Sequence, residues 1–340
     1  MSRIIYLIGA GASRGKRGDE KLGYADIRSG LPVVNEIPGR MQYVISQLNT
    51  YLSVRPLGKL SVLPEIMNDL HWLAKKAKAH ASIDTFAKKL FLTGQKEDYF
   101  RLKRALIVFL NYEQMFNPPD SRYDSFLASI LQSDVNTFPE DISILSWNYD
   151  TQFELAYHEY RQDINSVKDL SKALKVYDKQ SEKKDKLDGT YQVINGFSIF
   201  KLNGSVSPGD DSFIAGTNVE KVETLCSMFK EMTEANCPLS FAWESTKGQF
   251  LQHIQDCVSE ASCLVIIGYS FPFFNREIDR KIVRGMSHLR RIYIQDPNAE
   301  TVKQSLRSAL SWVQQDMQHV LDNVEFVTVN ENQFFLPPEL

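Results

Sequence analysis

The sequence predicts an α/β fold with a Rossmann-like, doubly wound parallel sheet that carries an all-helical insertion. Three observations predict it. Continuous apolar runs, typical of strands buried on both faces, recur along the chain. In the C-terminal half these runs alternate with helical apolar patterns, as in right-handed βαβ units. From 41 to 131 the apolar residues recur at helical spacing alone, which indicates helices inserted between the first and second strands.

The predicted strands are short runs of β-branched and other apolar residues. The first runs from Ile4 to Ile8 and ends in Gly9-Ala10-Gly11. The later runs are Ile142 to Leu145, Phe197 to Leu202, Leu264 to Ile267, Ile292 to Ile294 and Val324 to Val329. Because strands of this kind belong to parallel sheets, we expect the runs to form one parallel sheet.

The predicted helices fall into two groups. Those between the later strands show the patterns Phe250, Leu251, Ile254 and Val258, then Ile278, Ile282 and Met286, then Val302, Leu306 and Leu310. Those in the insertion show the stripes Val44, Ile45 and Leu48, then Ile66, Leu70 and Leu73, then Tyr99, Leu102, Leu106 and Phe109. We therefore expect one α/β domain over 1–340 with a helical insertion at 41–131 within it.

Composition and charge limit the function classes. Of the 340 residues, 43% are hydrophobic and 24% are charged, which excludes disordered, collagen-like and coiled-coil chains. Lys and Arg number 39 against 42 Asp and Glu, so the net charge of -3 provides no global basic field. We therefore expect no direct contact with nucleic acid.

Two further features are not expected. The longest apolar run after the first strand, at 263–274, is far shorter than the roughly 20 residues that a spanning helix needs. The four cysteines, Cys226, Cys237, Cys257 and Cys263, form none of the C-x-x-C pairs of a structural zinc site. We expect a cytoplasmic protein that contacts no membrane and binds no zinc or other metal.

A glycine-rich turn follows the first predicted strand. The glycines of Gly9-Ala10-Gly11-Ala12-Ser13 let backbone N–H groups approach an anion closely, and a helix that begins there would add its positive end. The turn departs from the dinucleotide pattern G-x-G-x-x-G because position 14 is Arg14 and Gly15 comes one residue late. It is either a pyrophosphate cradle or a tight turn that binds nothing.

Small or polar residues also follow four other predicted strands. These segments are Ser146-Trp147-Asn148-Tyr149-Asp150, Lys201-Leu202-Asn203-Gly204-Ser205, Gly268-Tyr269-Ser270-Phe271-Pro272 and Gln295-Asp296-Pro297. Open α/β sheets bind ligands at the carboxyl ends of their strands. We therefore expect the five segments to converge on one ligand site.

These motifs together resemble the sirtuin superfamily, and more narrowly the bacterial sirtuin-like effectors of anti-phage defence, of the Thoeris and HerA-associated kinds. The similarity spans 4–297, and it includes Ser29-Gly30-Leu31-Pro32 and, within the insertion, Ser82-Ile83-Asp84. The order and spacing of the motifs carry the resemblance, since no tripeptide alone is specific.

The resemblance implies that the domain over 1–340 binds NAD. By similarity, the pyrophosphate would be held by Gly9, Ala10, Gly11, Ala12 and Ser13. The same pocket would be lined by Gly204, Ser205, Gly268, Tyr269 and Ser270. Asp296 would reach a ribose hydroxyl, and Asn148 would position the nicotinamide ribose and the attacking water. Cleavage of the nicotinamide glycosidic bond builds positive charge on the ribose, which Asn148 and the carboxylate of Asp150 would stabilise.

Asn203 is a departure from the family pattern. Active relatives carry a histidine at this place that acts as a general base, and asparagine takes up no proton near neutral pH. Loss of a general base forfeits about a hundred- to ten-thousand-fold in rate. The zinc-binding cysteines of protein deacylases are missing as well, so lysine deacylation is the poorest fit.

The expected function is NAD+ hydrolysis that releases nicotinamide and depletes NAD+ in an anti-phage, abortive-infection response. The alternative, motivated by Asn203, is a weak or inactive subunit that binds NAD or ADP-ribose in a defence assembly with an ATPase or nuclease. The resemblance also implies a homo-oligomer and a HerA-type hexameric ATPase as the candidate partner.

Overall fold

A seven-stranded sheet forms the centre of the protein. The computed structural model describes residues 3–18, 26–54, 58–178, 196–207, 212–244, 248–310 and 324–340. In chain order the strands are β1 Arg3–Ile8, β2 Ile142–Ser146, β3 Val176–Asp178, β4 Ser198–Lys201, β5 Ala261–Ile267, β6 Arg291–Gln295 and β7 Glu325–Thr328. Each of the predicted apolar runs overlaps one of these strands, whereas β3 is not among the predicted elements.

The spatial order of the strands is β3-β4-β2-β1-β5-β6-β7, and every pairing is parallel. The chain fills one side of β1 first and then crosses to the other side, so the strand order switches between β1 and β5. This is the order of a Rossmann-like doubly wound sheet with one extra edge strand, β3. The predicted fold class is therefore confirmed.

Twelve α-helices occur in the described residues. Those between β1 and β2 are α1 Ile37–Val54, α2 Leu63–Ala79, α3 Ile83–Leu92, α4 Lys96–Phe116 and α5 Ser121–Ile130. The others are α6 Gln152–His158, α7 Val167–Ala173, α8 Ser212–Ala215, α9 Asn218–Glu231, α10 Gln249–Val258, α11 Arg276–Gly285 and α12 Ala299–Leu310. The predicted stripes overlap α1, α2, α4, α10, α11 and α12.

Both faces of the sheet are covered by helices, which explains why the strand sequences are continuously apolar. In β1, the side chains of Ile4, Tyr6 and Ile8 pack in one apolar core with α5 and α6. Those of Ile5 and Leu7 pack in another core with α10, α11 and α12. All five are at most 1% exposed, so neither set alternates with polar residues.

The helices α1 to α4 pack with α9 around an apolar core of their own. A buried ion pair joins two of them, since Nε of Arg40 in α1 donates to both carboxylate oxygens of Glu113 in α4, at 2.8 and 3.1 Å. Asn117 donates to the same carboxylate at 2.7 Å. Because an unpaired buried charge is costly, this network fixes the first turn of α1 against α4.

Two backbone turns approach each other closely where the strand order switches. Gly11, after β1, donates its N–H to the carbonyl of Gly268, after β5, at 3.0 Å. A Cβ atom on Gly9 would lie 2.6 Å from that same carbonyl oxygen, and one on Gly268 would lie 2.3 Å from the nitrogen of Ala12. Gly268 also has a φ of +58°. Only glycine fits at these contacts.

Gly268→Ala should destabilise the protein more than Gly94→Ala does. Both glycines have positive φ, +58° and +68°, but a Cβ on Gly94 meets nothing within 4 Å. We expect Gly94→Ala to cost about 1 to 2 kcal/mol for the left-handed backbone. Gly268→Ala should cost about 1 to 3 kcal/mol more, because the turns must move apart. Urea unfolding measures both losses, and equal losses would contradict the packing argument.

Candidate functional site

Two adjoining cavities open at the carboxyl edge of the sheet, where the strand order switches. The inner cavity has a volume of about 480 Å³ and the outer cavity about 1060 Å³. Their shared wall is formed by Ala10, Val34, Ser82, Ile83, Gly268 and Ser270. Ligands of open α/β sheets bind in this position, so we take the two cavities as the candidate site.

The carboxyl ends of five strands reach these cavities. Of the predicted site residues, the inner cavity is lined by Gly9, Ala10, Ser13, Asn148, Asp150, Asn203, Gly268, Tyr269 and Ser270. The outer cavity is lined by Ala10, Gly11, Gly268, Ser270 and Asp296. Three predicted residues lie in neither lining, since Ala12 is fully buried, Gly204 packs on the carbonyl of Pro238, and Ser205 is half-buried beside it.

The glycine turn leaves two backbone N–H groups unused. The N–H groups of Gly9, Gly11 and Ala12 donate to backbone carbonyls. Those of Ala10 and Ser13 have no acceptor among the residues that the structure describes. Both residues line the inner cavity, and Ala10 also lines the outer one. Unpaired backbone N–H groups in such a turn bind anions.

No helix begins within residues 9–18, so the helix that the sequence suggested at this turn does not form. Other donors take the carbonyls that a helix would use. The guanidinium of Arg122 donates to the carbonyls of Ala12 and Arg14 at 2.8 and 2.9 Å. The N–H of Leu31 donates to the carbonyl of Ser13 at 2.8 Å. An anion at this turn would therefore meet backbone N–H groups without a helix dipole.

The Ser13 hydroxyl joins three side chains below this turn. It donates to Oδ2 of Asp150 at 2.6 Å and accepts from Nδ2 of Asn148 at 2.9 Å. The hydroxyl of Tyr123 lies 2.7 Å away and donates to it, since the serine proton is already used. Oδ1 of Asp150 accepts from the N–H of Gln152 at 3.3 Å. Ser13 and Asp150 are thus held by the protein itself.

Asn148 has one side-chain oxygen without a partner. Both of its amide hydrogens are used, by the carbonyl of Gly9 at 3.0 Å and by the Ser13 hydroxyl. Its Oδ1 has no donor in the described part of the chain, and the residue lines the inner cavity. The nitrogen is assigned to the atom that faces the carbonyl of Gly9 and the hydroxyl of Ser13, because a carbonyl oxygen can only accept a hydrogen bond. The atom is available to accept a hydrogen bond from a ligand hydroxyl.

Asn203 has a buried oxygen with no partner. The residue is 6% exposed and lines the inner cavity. Its Nδ2 makes one long contact, 3.5 Å to the hydroxyl of Tyr149, and its Oδ1 has no hydrogen-bond donor. Because an unpaired buried polar atom is unfavourable, this oxygen is a second group that a bound molecule would satisfy.

A fully buried lysine supports the loop that carries Asn148. Nζ of Lys201, the last residue of β4, donates to the backbone carbonyl of Asp150. The same ammonium group lies 3.9 Å from Oε2 of Glu154, and both side chains are fully buried. The cation therefore joins the end of β4, which leads into Asn203, to the loop after β2.

Asp84 lines the inner cavity and is not among the predicted site residues, although the motif Ser82-Ile83-Asp84 pointed to this segment. It lies in the first turn of α3, where Oγ of Ser82 accepts from the N–H of Thr85 at 3.1 Å. The half-buried carboxylate has no hydrogen-bond donor among the described residues. Burial raises its pKa to about 6.

Aromatic side chains form much of the inner wall. They are Trp147, Tyr149, Phe241, Trp243, Tyr269, Phe273 and Phe274. Behind the wall lies Asp279, 1% exposed, which accepts from the indole of Trp147 at 3.1 Å and from the hydroxyl of Tyr269 at 2.8 Å. Burial raises the pKa of Asp279 to about 8 in spite of these two donors.

The outer cavity is the more polar of the two. Asp296, just after β6, accepts at Oδ1 from the N–H of Asn298 at 2.8 Å. The hydroxyls of Ser270, Thr301 and Ser305 line the same space. These groups suit a ligand that carries several hydroxyls.

Some types of site are not found in the described part of the chain. No group of three or more His, Cys, Asp or Glu side chains there lies close enough to hold a metal ion. Cys226, Cys257 and Cys263 are buried, and Cys237 is half-buried. Among the helices described, none is both long and apolar enough to cross a membrane.

No protein-family model matches the sequence, and no curated protein matches it. The motif resemblance therefore stays a prediction, and function has to be argued from the geometry and chemistry of the two cavities.

Asp279→Asn should remove a pH dependence of stability. Since burial raises the pKa of Asp279 from 3.8 to about 8, the folded protein holds this proton more tightly than the unfolded chain does. The contribution of this bound proton to the free energy of unfolding is complete below about pH 4. It is lost as the pH rises toward about 8, by up to about 1.4 kcal/mol per pH unit.

The asparagine oxygen still accepts from Trp147 and Tyr269 but does not ionise. In urea unfolding, we therefore expect stability to shift in favour of the variant as the pH rises through this range. Parallel pH profiles for the two proteins would contradict the assignment of a buried, protonated carboxyl group.

Proposed function

We propose that the two cavities together bind NAD+ and that the inner cavity cleaves the bond between nicotinamide and ribose. The observation that carries the proposal is the shared wall between the cavities. It contains Ala10 of the glycine turn, whose N–H is unpaired, while the unpaired N–H of Ser13 and the unpaired oxygen of Asn148 lie on the inner side. A dinucleotide has the matching form, two nucleosides joined by a doubly charged pyrophosphate.

The outer cavity suits the adenosine half. Its hydroxyl-bearing wall and the carboxylate of Asp296 can accept from ribose hydroxyls. Ala10 and Ser270 lie on the wall common to both cavities, which is where the pyrophosphate would cross. The two cavities have volumes in the range usual for ligand sites.

The inner cavity suits the nicotinamide riboside half. Its aromatic wall offers flat faces to a pyridinium ring, and rings such as Trp147 and Tyr149 attract a cation. Oδ1 of Asn148 would accept from a ribose hydroxyl, so that positive charge on the ribose is stabilised as the glycosidic bond breaks. Nicotinamide leaves as a neutral molecule and requires no acid.

One observation favours a second function, a subunit that binds the nucleotide without turning it over. Asn203, at the position where the resemblance implies a histidine, takes up no proton. Its buried Oδ1 would accept a hydrogen bond from bound ligand instead. Binding and catalysis thus require separate tests.

Nicotinamide release from NAD+ should be measured for the wild type, Asn203→His and Asn148→Ala. We expect slow release by the wild type and faster release by Asn203→His, because the imidazole adds a general base at position 203. Asn148→Ala should lose about a hundred- to a thousand-fold, as for removal of one group that stabilises developing charge. Urea unfolding checks that each variant is folded.

Calorimetry with NAD+ and ADP-ribose separates the two functions. Binding without release, in the wild type and in Asn203→His alike, would favour the binding subunit. Absence of both binding and release would exclude both functions.

The motif resemblance extends the proposal to the cell. We propose that the chain acts as a homo-oligomer with a HerA-type hexameric ATPase and depletes NAD+ during phage infection. Cells that express both proteins should lose most of their NAD+ after infection, whereas cells with Asn148→Ala should not, as measured on cell extracts. Equal NAD+ levels in the two cultures, or purification of the chain as a lone monomer, would contradict this role.

A further inference from the structure

We propose that Asp84, supplied by the helical insertion, accepts the proton of the attacking water in the inner cavity. This inference rests on the proposed function, because it concerns the hydrolysis of NAD+ at that site. It assigns to the insertion a catalytic residue that neither the strand-end motifs nor the predicted catalytic set contains.

A general base must lie in the cavity where the substrate binds, and Asp84 does. Its carboxylate lies on the wall of the cavity that Asn148 and Asn203 also line, and no donor among the described residues occupies it. The hydroxyl groups of Tyr149 and Tyr269 lie near enough that, besides burial, the charge of Asp84 raises the pKa of each. The capped first turn of α3 fixes the backbone that carries it.

The other ionisable groups of the inner lining either already accept hydrogen bonds from the protein or stay protonated. The ionisable groups there are Asp84, Asp150, Tyr149 and Tyr269. Both oxygens of Asp150 already accept hydrogen bonds, from Ser13 and from the N–H of Gln152. Burial raises the pKa of both tyrosines well above 10, so each stays protonated. Of these groups, only Asp84 is ionised and unoccupied.

A general base must also be ionised near neutral pH and still bind a proton well, and Asp84 meets this requirement. Burial holds its pKa at about 6, so the group is mostly a carboxylate at pH 7.5 and is still a better base than an exposed aspartate. A histidine would have a similar pKa. The insertion therefore supplies from another direction the base that position 203 lacks.

The step balances as follows. The bond between the ribose C1′ and the nicotinamide nitrogen breaks, and its electron pair leaves with neutral nicotinamide. The water oxygen forms a bond to C1′, and one water proton passes to the carboxylate of Asp84. The products are ADP-ribose, nicotinamide and one proton, which Asp84 later releases to solvent.

A competing reaction at the same carbon tests the role of the proton. A neutral pyridine base such as 3-acetylpyridine attacks C1′ through its own ring nitrogen and has no proton to lose. Exchange of nicotinamide for this base therefore needs binding and charge stabilisation but no proton acceptor. Asp84→Asn, which has the same shape, should lose at least a hundred-fold in hydrolysis and less than ten-fold in exchange.

The measurement follows ADP-ribose and the exchanged dinucleotide by liquid chromatography, with the full chain of wild type, Asp84→Asn and Asp84→Asn/Asn203→His. The double variant should regain hydrolysis, because the imidazole replaces the lost base. Wild-type hydrolysis should also fall as the pH drops through about 6, while exchange stays nearly constant. This pH profile tests the proposal even where Asp84→Asn does not fold.

The possible results separate this inference from the proposed function. No nicotinamide release by the wild type, with or without the pyridine base, would overturn the proposed function and this inference with it. Unchanged hydrolysis by Asp84→Asn would overturn the inference alone. Equal loss of hydrolysis and exchange would also overturn it, because Asp84 would then bind substrate or stabilise charge without accepting a proton.

Discussion

The close approach of two backbone turns at the centre of the sheet is the constraint on which the rest of the site depends. Gly9 and Gly11 after β1 meet Gly268 after β5 at distances that leave no room for a Cβ atom. Because these strands are neighbours where the strand order switches, the contact sets where the two cavities begin and which wall they share. The glycines were expected to cradle an anion, and their first physical role is to let the turns touch. The same contact leaves the N–H groups of Ala10 and Ser13 without an acceptor among the described residues.

The site has two structural sources with different roles. The sheet supplies a rigid set of groups that satisfy one another, in which Ser13 and Asp150 are fixed by hydrogen bonds and Lys201 ties two strand ends together. The helical insertion, with its own apolar core, supplies the opposite wall, including Asp84. The buried ion pair between Arg40 and Glu113 joins α1 and α4 of this insertion. Burial raises the pKa of Asp84, and no cation among the described residues pairs with its carboxylate to lower it.

The sequence predicts the sheet well because both faces of its strands are buried, so that each strand is a continuous apolar run. It does not predict β3, whose residues at 176–178 are only half-buried and so produce no such run. The sequence also predicts that the strand ends meet at one edge of the sheet, because the carboxyl ends of parallel strands lie on the same side. What was not foreseen depends on contacts between distant segments. Asp150 is occupied by Ser13 across more than a hundred residues of sequence, and Asp84 reaches the cavity through the packing of α3. The contact of Asp150 with Ser13 leaves no local pattern in the sequence. For Asp84, the motif at 82–84 is the only local signal.

Several polar groups of the inner cavity have no hydrogen-bond partner among the described residues. Each buried polar group without a partner costs about 1 to 3 kcal/mol, and native interiors contain few of them. In the inner cavity the Oδ1 of Asn203 is such an atom, and the Oδ1 of Asn148 and the N–H groups of Ala10 and Ser13 are further unpaired groups of the same lining. Phe271 nearby has a φ of +54°, a strained value for a side chain of its size. A hydrogen bond from a ligand hydroxyl to Oδ1 of Asn203 would remove the cost of that unpaired buried atom, so this residue contributes to binding even without a proton to exchange.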